Sequence, residues 1–285
     1  MPIRVSKAQA YGNDFLYVPV DTWDSRDWTA IATTMCERHT GLGADGLILY
    51  QQEAGQSPRM RLLNADGSRS EISGNGVRGL AALLSWQCRQ RGLTDPDQWR
   101  IDTDAGTKRL TRLARDGARY TFRAAMGEPE LVCKRSLDVG GEPLEVVTLR
   151  VGNPQCVVLE ADLDQERYRR LGPLLERHVA FPEGTNVSFA RVAARDRVDI
   201  LIWERGVGPT LASGTGACGA AIAAMSYGGC GRDVGVVAPG GTQRVEWTDD
   251  GIELTGWASV VWTGEWLEDE STVRLDADPP PAEST

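Results

Sequence analysis

Two short motifs recur in this sequence at one fixed distance, and this repeat constrains the fold more than any other feature. Gly12-Asn13 returns as Gly152-Asn153, an offset of 152 − 12 = 140. Ser73-Gly74-Asn75-Gly76 returns as Ser213-Gly214-Thr215-Gly216, and 213 − 73 is again 140. Two separate motifs rarely share an offset by chance, so the sequence predicts a duplication that produced two similar units.

The residues after each serine motif have the spacing of a buried helix face. Val77, Leu80, Ala81 and Leu84 occupy positions i, i+3, i+4 and i+7, which is the period of an amphipathic helix. The second copy has alanine at positions 217, 220, 221 and 224, so its helix can approach its neighbours more closely. We expect each helix to begin at its Ser-Gly-x-Gly turn and to be wrapped by strands.

Short apolar runs predict β-structure in the rest of each half. They include residues 15–18, 47–50, 156–159 and 198–203, which have the length and composition of strands. Two segments in which apolar and polar residues alternate flank Asp250-Gly251, a dipeptide typical of hairpin turns. The sequence therefore combines one central helix with several strands in each half.

Composition and charge restrict the classes of function. The 285 residues include 31 basic and 40 acidic side chains, for a net charge of −9, which disfavours nucleic acid as a partner. No apolar run approaches the roughly 20 residues of a membrane helix, and residues 1–7 do not resemble a signal peptide. We therefore expect a cytoplasmic protein without a membrane partner.

The six cysteines form no C-x-x-C pair, so neither a metal site nor a disulfide is predicted.

A Ser-Gly-x-Gly turn at the start of a helix suits the binding of a carboxylate. Glycine lets a ligand approach the backbone, and the N–H groups and dipole of the helix attract an anion. Two such turns, one from each half, would hold one carboxylate, with the preceding residues facing the α-carbon from opposite sides. Proton removal on one face and delivery on the other would then invert that carbon.

The same glycines also fit the dinucleotide-binding pattern G-x-G-x-x-G, over residues 74–79 and 214–219. That site requires a strand directly before the glycines and an acidic residue about 20 positions later. Residues 64–71 are instead polar and turn-like. The dinucleotide interpretation is disfavoured, and no cofactor is predicted.

Eight blocks of this sequence resemble the diaminopimelate epimerase family and occur in that family's order. They are Gly12–Phe15, Arg38–Gly46, Asn64–Ser68, Ser73–Gly76, Gly152–Pro154, Pro182–Asn186, Glu204–Gly208 and Ser213–Gly216. The chain is thereby identified as a member of a family of cofactor-independent amino-acid racemases. The resemblance implies an α+β (mixed α/β) fold of two pseudo-symmetric domains, each a β-barrel-like sheet around a central helix, with the active site between them.

The domain boundaries follow from the repeat and the resemblance. The N-terminal half is expected to cover residues 1–118, completed by a C-terminal strand at about residues 264–275. The C-terminal half is expected to cover residues 119–263. Residues 276–285 contain three consecutive prolines followed by polar residues and are expected to form a disordered tail. The sequence leaves the oligomeric state open, and a homodimer is compatible with it.

The resemblance also implies a role for each site residue. The backbone at Gly74, Asn75, Gly214 and Thr215 is expected to bind the α-carboxylate of the substrate, and Glu204 its ammonium group. The side chains expected to hold the far end of the substrate are Asn13, Asn64, Asn153, Asn186 and Arg205. Arginine suits this role because a guanidinium binds a carboxylate through two hydrogen bonds, although asparagine is also a common turn residue. The implied reaction interconverts LL- and meso-diaminopimelate, a diamino-dicarboxylate of the lysine and peptidoglycan pathway, by two-base proton transfer.

The sequence departs from the family at the two catalytic positions, where the family has cysteines and this chain has Ser73 and Ser213. A helix N-terminus lowers the pKa of a thiol from about 8.5, whereas a serine hydroxyl needs an adjacent base. Both serines are expected to cap their helices, and Cys218 is expected to pack in the core. Gln155 and Pro209 stand where the family usually has histidine and glutamate. We therefore expect the chain to bind its ligand and to racemise it poorly or not at all.

Three explanations fit the two serines. In the first, the serines were engineered to give an inert protein that still holds substrate. In the second, they are natural, and the protein binds an amino acid without racemising it. In the third, they are natural, and the cleft catalyses a different reaction. Gln155 and Pro209 favour natural divergence, because an engineer would have no reason to change them.

Overall fold

The computed structural model of this protein describes residues 2–23, 26–53, 57–70 and 72–267. The helices are α1 (Trp28–Cys36), α2 (Gly74–Gln90), α3 (Gln165–Glu176) and α4 (Gly214–Tyr227). The strands are β1 (Ile3–Ala10), β2 (Asn13–Pro19), β3 (Gly46–Gln51), β4 (Arg59–Asn64), β5 (Arg69–Ser70), β6 (Gln98–Thr103), β7 (Gly106–Asp116), β8 (Arg119–Gly127), β9 (Glu130–Val139), β10 (Glu142–Val151), β11 (Asn153–Leu159), β12 (Asn186–Ala194), β13 (Arg197–Glu204), β14 (Gly208–Thr210), β15 (Asp233–Ala238), β16 (Gly241–Thr248) and β17 (Gly251–Trp266).

Eight strands form a closed ring around α2. The pairings run through β1, β2, β3, β4, β6, β7, β8 and β17, and β17 pairs back with β1. Every residue of α2 from Asn75 to Ser85 is buried. The apolar spacing predicted one buried face, but because strands surround this helix, its first three turns are buried on all sides.

The strands of the second half wrap α4 in a similar way. The pairings run from β9 through β10, β11, β12 and β13 to β15, β16 and β17. The buried residues of α4 from Gly216 to Ala224 are mostly alanine and glycine, which lets the surrounding strands approach its axis. Near its start β17 pairs with both β16 and β8, and its end pairs with β1, so one strand belongs to both halves.

The structure repeats with the offset found in the sequence. The strands β2 and β11 begin at Asn13 and Asn153, and β4 and β13 end at Asn64 and Glu204. The second pair differs by 204 − 64 = 140, the same number as the first. The predicted α+β class with two pseudo-symmetric units around central helices is confirmed.

The individual strand predictions are also confirmed. The four apolar runs lie in β2, β3, β11 and β13, and the hairpin at Asp250-Gly251 joins β16 to β17. The strand directly before α2 is β5, which has only two residues and pairs antiparallel with β4. That is not the long strand that a dinucleotide site requires.

Some predictions concern residues outside the described ranges. The completing strand expected at about residues 264–275 lies mostly beyond them, since β17 ends at Trp266, and the tail expected at residues 276–285 lies wholly beyond them. The domain boundaries remain a prediction. Within residues 2–267, apart from the gaps given above, no helix has the length and apolarity to cross a membrane.

Gly79 and Gly219 are equivalent glycines in the two central helices, but their surroundings differ. A Cβ at Gly79 would overlap the Tyr17 hydroxyl, which donates to the Gly76 carbonyl at 3.0 Å. A Cβ at Gly219 would lie 3.0 Å from Gln155 Cγ, which is a tight contact but not the overlap found at Gly79. We expect Gly79→Ala to lower the free energy of unfolding by about 2–3 kcal/mol.

The matched variant Gly219→Ala is expected to lower the free energy of unfolding by less than about 1 kcal/mol, because alanine's higher helix propensity offsets the contact. Urea denaturation of both variants measures the difference. Equal losses of unfolding free energy in the two variants would contradict this difference between the two glycines.

Candidate functional site

The two central helices begin with the same serine cap. Ser73 Oγ accepts from the Gly76 N–H at 3.1 Å, and Ser213 Oγ accepts from the Gly216 N–H at 3.3 Å. Both serines have extended backbone, with φ of −128° and −134°. The predicted capping role is confirmed for both residues. Since a helix leaves its first N–H groups without internal partners, each start presents donors suited to an anion.

Asn75 joins the start of α2 to the other half of the molecule. Its Nδ2 donates to Asn13 Oδ1 at 3.2 Å and to the Ala212 carbonyl at 3.3 Å. Ala212 directly precedes Ser213, so this second hydrogen bond connects the two helix starts. The structure therefore brings together the two motifs that the repeat singled out.

An ionic network fixes the segment around Asn13. Asp14 forms ion pairs with Lys7 at 2.8 Å and Arg38 at 2.9 Å, and Arg38 also pairs with Asp45 at 2.7 Å. Asp45 in turn accepts from Asn13 Nδ2 at 2.6 Å. Burial acts to raise the pKa of Asp14, but hydrogen bonds from Arg38 and Lys7 outweigh it and hold that pKa below its ordinary value. This network leaves Asn13 little freedom to rotate.

The turn after β13 carries Arg205 and presents it to solvent. Asn186 Oδ1 accepts from the Arg205 backbone N–H at 2.9 Å, and the Arg205 guanidinium donates to the Glu183 carbonyl at 3.0 Å. Arg205 is exposed, so the donors of its guanidinium that are not used in this bond can reach a ligand. The structure thus joins Arg205 and Asn186, two of the residues selected from the sequence.

Glu176 supports the same turn and was not selected from the sequence. Its carboxylate is buried and accepts from Trp203 Nε1 at 2.8 Å and from the Gly206 N–H at 2.9 Å. These bonds hold the backbone directly after Arg205 and the side chain of Trp203, two residues before it. The sequence offered no signal for this role, because Glu176 ends a helix far along the chain from the turn that it supports.

Glu204 lies beside Ser213, at the end of β13. Burial raises the pKa of Glu204, hydrogen bonds from Ser213 and Thr210 act in the opposite direction, and the charge of Asp45 raises it further. The Thr210 hydroxyl lies 3.5 Å from Glu204 Oε1. From the sequence, Glu204 was expected only to accept from a ligand's ammonium group. The structure places it against one of the two capping serines as well.

The raised pKa of Glu204 has a consequence for stability. Because the folded protein holds this proton more tightly than the unfolded chain, Glu204 favours the folded state at low pH, and that contribution is lost as pH rises through its folded pKa. We expect Glu204→Gln to be more stable than the parent at pH 7, and the difference to shrink towards pH 4. Thermal unfolding across this pH range measures it, and a variant less stable at pH 7 would contradict the assignment.

Asn64 and Asn153 have more local contacts than the other selected residues. Asn64 Nδ2 donates to Ser68 Oγ at 2.9 Å, within its own turn, and Asn153 Oδ1 accepts from Gln155 Nε2 at 2.5 Å. A Cβ on the glycine before Asn153 would lie 3.9 Å from Thr215 Cγ2, so this turn lies close to the start of α4. Among the described hydrogen bonds, neither asparagine bonds to a helix start.

Cys218 is fully buried in the apolar core around α4. Burial raises its pKa to about 12, against a smaller opposite effect of Arg78. The predicted packing role is confirmed. All six cysteines are free.

The sequence relates to proteins of one family over most of its length. The sequence profile of diaminopimelate epimerase matches residues 6–132 and 147–264. A diaminopimelate epimerase of Desulforudis audaxviator is 40% identical over 281 residues, covering 93% of this chain and 99% of the relative. Diaminopimelate epimerase 1 of Nostoc sp. is 38% identical, covering 93% of this chain and all of the relative.

Solved structures with lower sequence identity share the fold. A phenazine biosynthesis protein of the PhzF family from Bacillus anthracis superposes with a TM-score of 0.68 at 15% identity, covering 94% of this chain and 100% of that one. A hydroxyproline epimerase from Agrobacterium vitis, with bound trans-4-hydroxy-L-proline, gives 0.68 at 14% identity, covering 95% and 94%. With the profile match and the relatives at up to 40% identity, this chain belongs to the diaminopimelate epimerase family, a family of isomerases.

Proposed function

We propose that the starts of α2 and α4 form a cleft that binds diaminopimelate, and that this chain interconverts its stereoisomers poorly or not at all. The observation that carries this proposal is the pair of equivalent helix starts, each capped by a serine hydroxyl and joined through Asn75. The starts suit a carboxylate, whereas the hydroxyls are poor proton-transfer groups. Family membership supports the choice of ligand.

The α-carboxylate would lie at the two helix starts. The N–H groups there belong to Gly74, Asn75, Gly214 and Thr215, and both helix dipoles favour a negative charge at this point. Because the serine caps use the N–H groups of Gly76 and Gly216, the donors nearest the helix ends remain available to the ligand. This arrangement would direct the α-carbon towards Ser73 on one face and Ser213 on the other.

The far end of the ligand would be held by charge and by amide groups. Arg205 would bind the second carboxylate, since its exposed guanidinium has further donors beyond the one used by Glu183. The amide side chains proposed to surround this end are Asn13, Asn64, Asn153 and Asn186. Glu204 would accept from the ammonium group, whose charge favours the ionised carboxylate. A ligand with an amino-acid group at each end satisfies this set.

The two serines would be inert for different local reasons. Ser73 is a helix cap, and its hydroxyl oxygen already accepts from the Gly76 N–H. Ser213 has the same cap and in addition a carboxylate neighbour, Glu204. A carboxylate is a weak base towards an alcohol, because the two pKa values differ by about ten units or more. We therefore expect Glu204 to orient the Ser213 hydroxyl rather than to ionise it.

Glu204 also provides the observation that favours a second candidate, a different proton-transfer reaction in the same cleft. A carboxyl group whose pKa is raised by burial can act as a general acid or base. In that case the substrate would have a more acidic proton than an amino-acid α-carbon. A third candidate is a protein that binds an amino acid at this site and catalyses no reaction.

A calorimetric titration tests the proposed function. We expect LL- and meso-diaminopimelate to bind the parent chain, and lysine, which lacks one of the two carboxylates, to bind at least about tenfold more weakly. Equal affinity for lysine would contradict the proposed role of Arg205. Absence of binding by all three compounds would contradict the proposed function.

Three further expectations belong with this proposal. The chain would function in the cytoplasm, and a homodimer is compatible with it. Its domains would divide between residues 118 and 119, with β8 crossing back to complete the ring around α2. Sedimentation analysis measures the oligomeric state directly.

A further inference from the structure

Arg78 is the largest fully buried side chain among the described residues, with 1% of its surface exposed. Its Nη1 atom donates to Asn75 Oδ1 at 3.1 Å, while its Nε atom has no hydrogen-bond partner among the described residues. The ionisable groups that act on it are Tyr11 and Cys218, and neither is a carboxylate. Burying a charge without an opposite charge is costly, so stability alone does not account for this arginine.

The fold leaves space for this guanidinium. A Cβ at Gly256 would lie 2.9 Å from Arg78 Cζ, so a larger residue at this point of β17 would collide with it. The ring centroid of Tyr11 lies 5.9 Å from Arg78 Cζ, within the range of a cation–π interaction. Burial lowers the pKa of Arg78, but an arginine side chain remains protonated in proteins. A positive charge is therefore held between α2, α4 and β17.

Arg78 also determines which way the Asn75 amide faces. Asn75 is 4% exposed, and its two ends have different partners. Its Oδ1 accepts from Arg78, and its Nδ2 donates to Asn13 and to the Ala212 carbonyl. Because a guanidinium only donates, it selects the orientation in which Nδ2 faces the opposite half. Without Arg78, the buried Oδ1 would lose its partner.

We propose that Arg78 is a positioning residue for the substrate carboxylate. It holds Asn75 in the orientation that connects the two helix starts, and it places a desolvated positive charge behind the site where the carboxylate binds. A fixed charge in a water-poor environment interacts strongly with an anion. This inference rests on the proposed function, because it assumes a carboxylate ligand at the helix starts.

The test compares two variants of Arg78 by calorimetric titration with meso-diaminopimelate and by thermal unfolding. Arg78→Met keeps the length of the side chain and removes its charge, and Arg78→Lys keeps the charge. We expect Arg78→Met to raise the Kd at least about tenfold and Arg78→Lys to recover part of the loss. The unfolding midpoint of Arg78→Met should change little, because removal of the uncompensated charge offsets the loss of the hydrogen bond to Asn75 Oδ1.

Leu83→Ala is the matched control, since Leu83 lies on the same helix and is fully buried. It should lower the unfolding midpoint through loss of packing and leave the Kd within about twofold of the parent. A Kd for Arg78→Met within about twofold of the parent, or an equal rise in Leu83→Ala, would overturn the proposal.

A second measurement keeps the inference testable if the parent does not bind the ligand and the proposed function therefore fails. The side-chain amide signal of Asn75, assigned with Asn75→Asp, is followed by ¹⁵N NMR in the ligand-free protein. We expect its hydrogen exchange to be slow in the parent and faster in Arg78→Met. An Asn75 signal that does not respond to Arg78→Met would overturn the positioning role.

Discussion

Replacing Ser73 and Ser213 together by cysteine is expected to raise the rate of α-proton exchange of diaminopimelate by at least about 100-fold. A thiol has a pKa near 8.5, and a helix N-terminus lowers it further. Each new thiol would stand at a helix start, in the position of the present hydroxyl. One would act as base and the other as acid on opposite faces of the α-carbon. Loss of the α-proton signal in D₂O, followed by NMR, measures the rate.

The single variants separate the two faces. We expect Ser73→Cys and Ser213→Cys each to convert LL- to meso-diaminopimelate at least about tenfold more slowly than the double variant, because inversion needs a donor opposite the base. Ser226→Cys is the control, since Ser226 is exposed in the last turn of α4 and its thiol lies outside the cleft. Exchange by this control at the rate of the double variant would show that the position of the thiol is irrelevant.

Replacing Arg205 by methionine is expected to raise the Kd for diaminopimelate at least about 30-fold, since removing one partner of a hydrogen-bonded charge pair costs about 2 kcal/mol or more. The backbone of Arg205 is held by Asn186, and the turn is supported by Glu176. The substitution should therefore leave the turn in place and remove only the guanidinium. Calorimetric titration measures the change.

Two controls define this prediction. Lysine lacks the carboxylate that Arg205 would bind, so its Kd should change by less than about threefold in Arg205→Met. Arg170→Met removes an exposed arginine of α3 that pairs with Glu142, and it should change neither Kd. If Arg205→Met weakens lysine and diaminopimelate equally, Arg205 supports the cleft in general and does not recognise the second carboxylate.

The local parts of the fold could be predicted from the sequence because they depend on short patterns. The offset of 140 residues identified both helix starts and the strands that begin at Asn13 and Asn153. Ser73 and Ser213 could be predicted as caps because a serine before Gly-x-Gly satisfies a free N–H group within its own turn. These features need no knowledge of distant residues.

Contacts between distant residues could not be predicted in this way. The hydrogen bond from Asn75 to the Ala212 carbonyl spans 137 positions, and nothing in either local segment indicates it. Glu204 was selected for its chemistry, but its contact with Ser213 depends on how β13 and α4 pack. Arg78 is the clearest case, because a charged residue in a helix is usually exposed and this one is buried on all sides.

One sample of the parent protein tests the proposal that this chain binds diaminopimelate without inverting it. LL-diaminopimelate is incubated with the protein in D₂O, and the ligand's NMR signals are followed over time. We expect the signals to broaden or shift on binding while the α-proton signal persists. Loss of the α-proton signal at a rate well above that of the ligand alone would contradict this proposal, because it would require a base that the two capped serines do not provide.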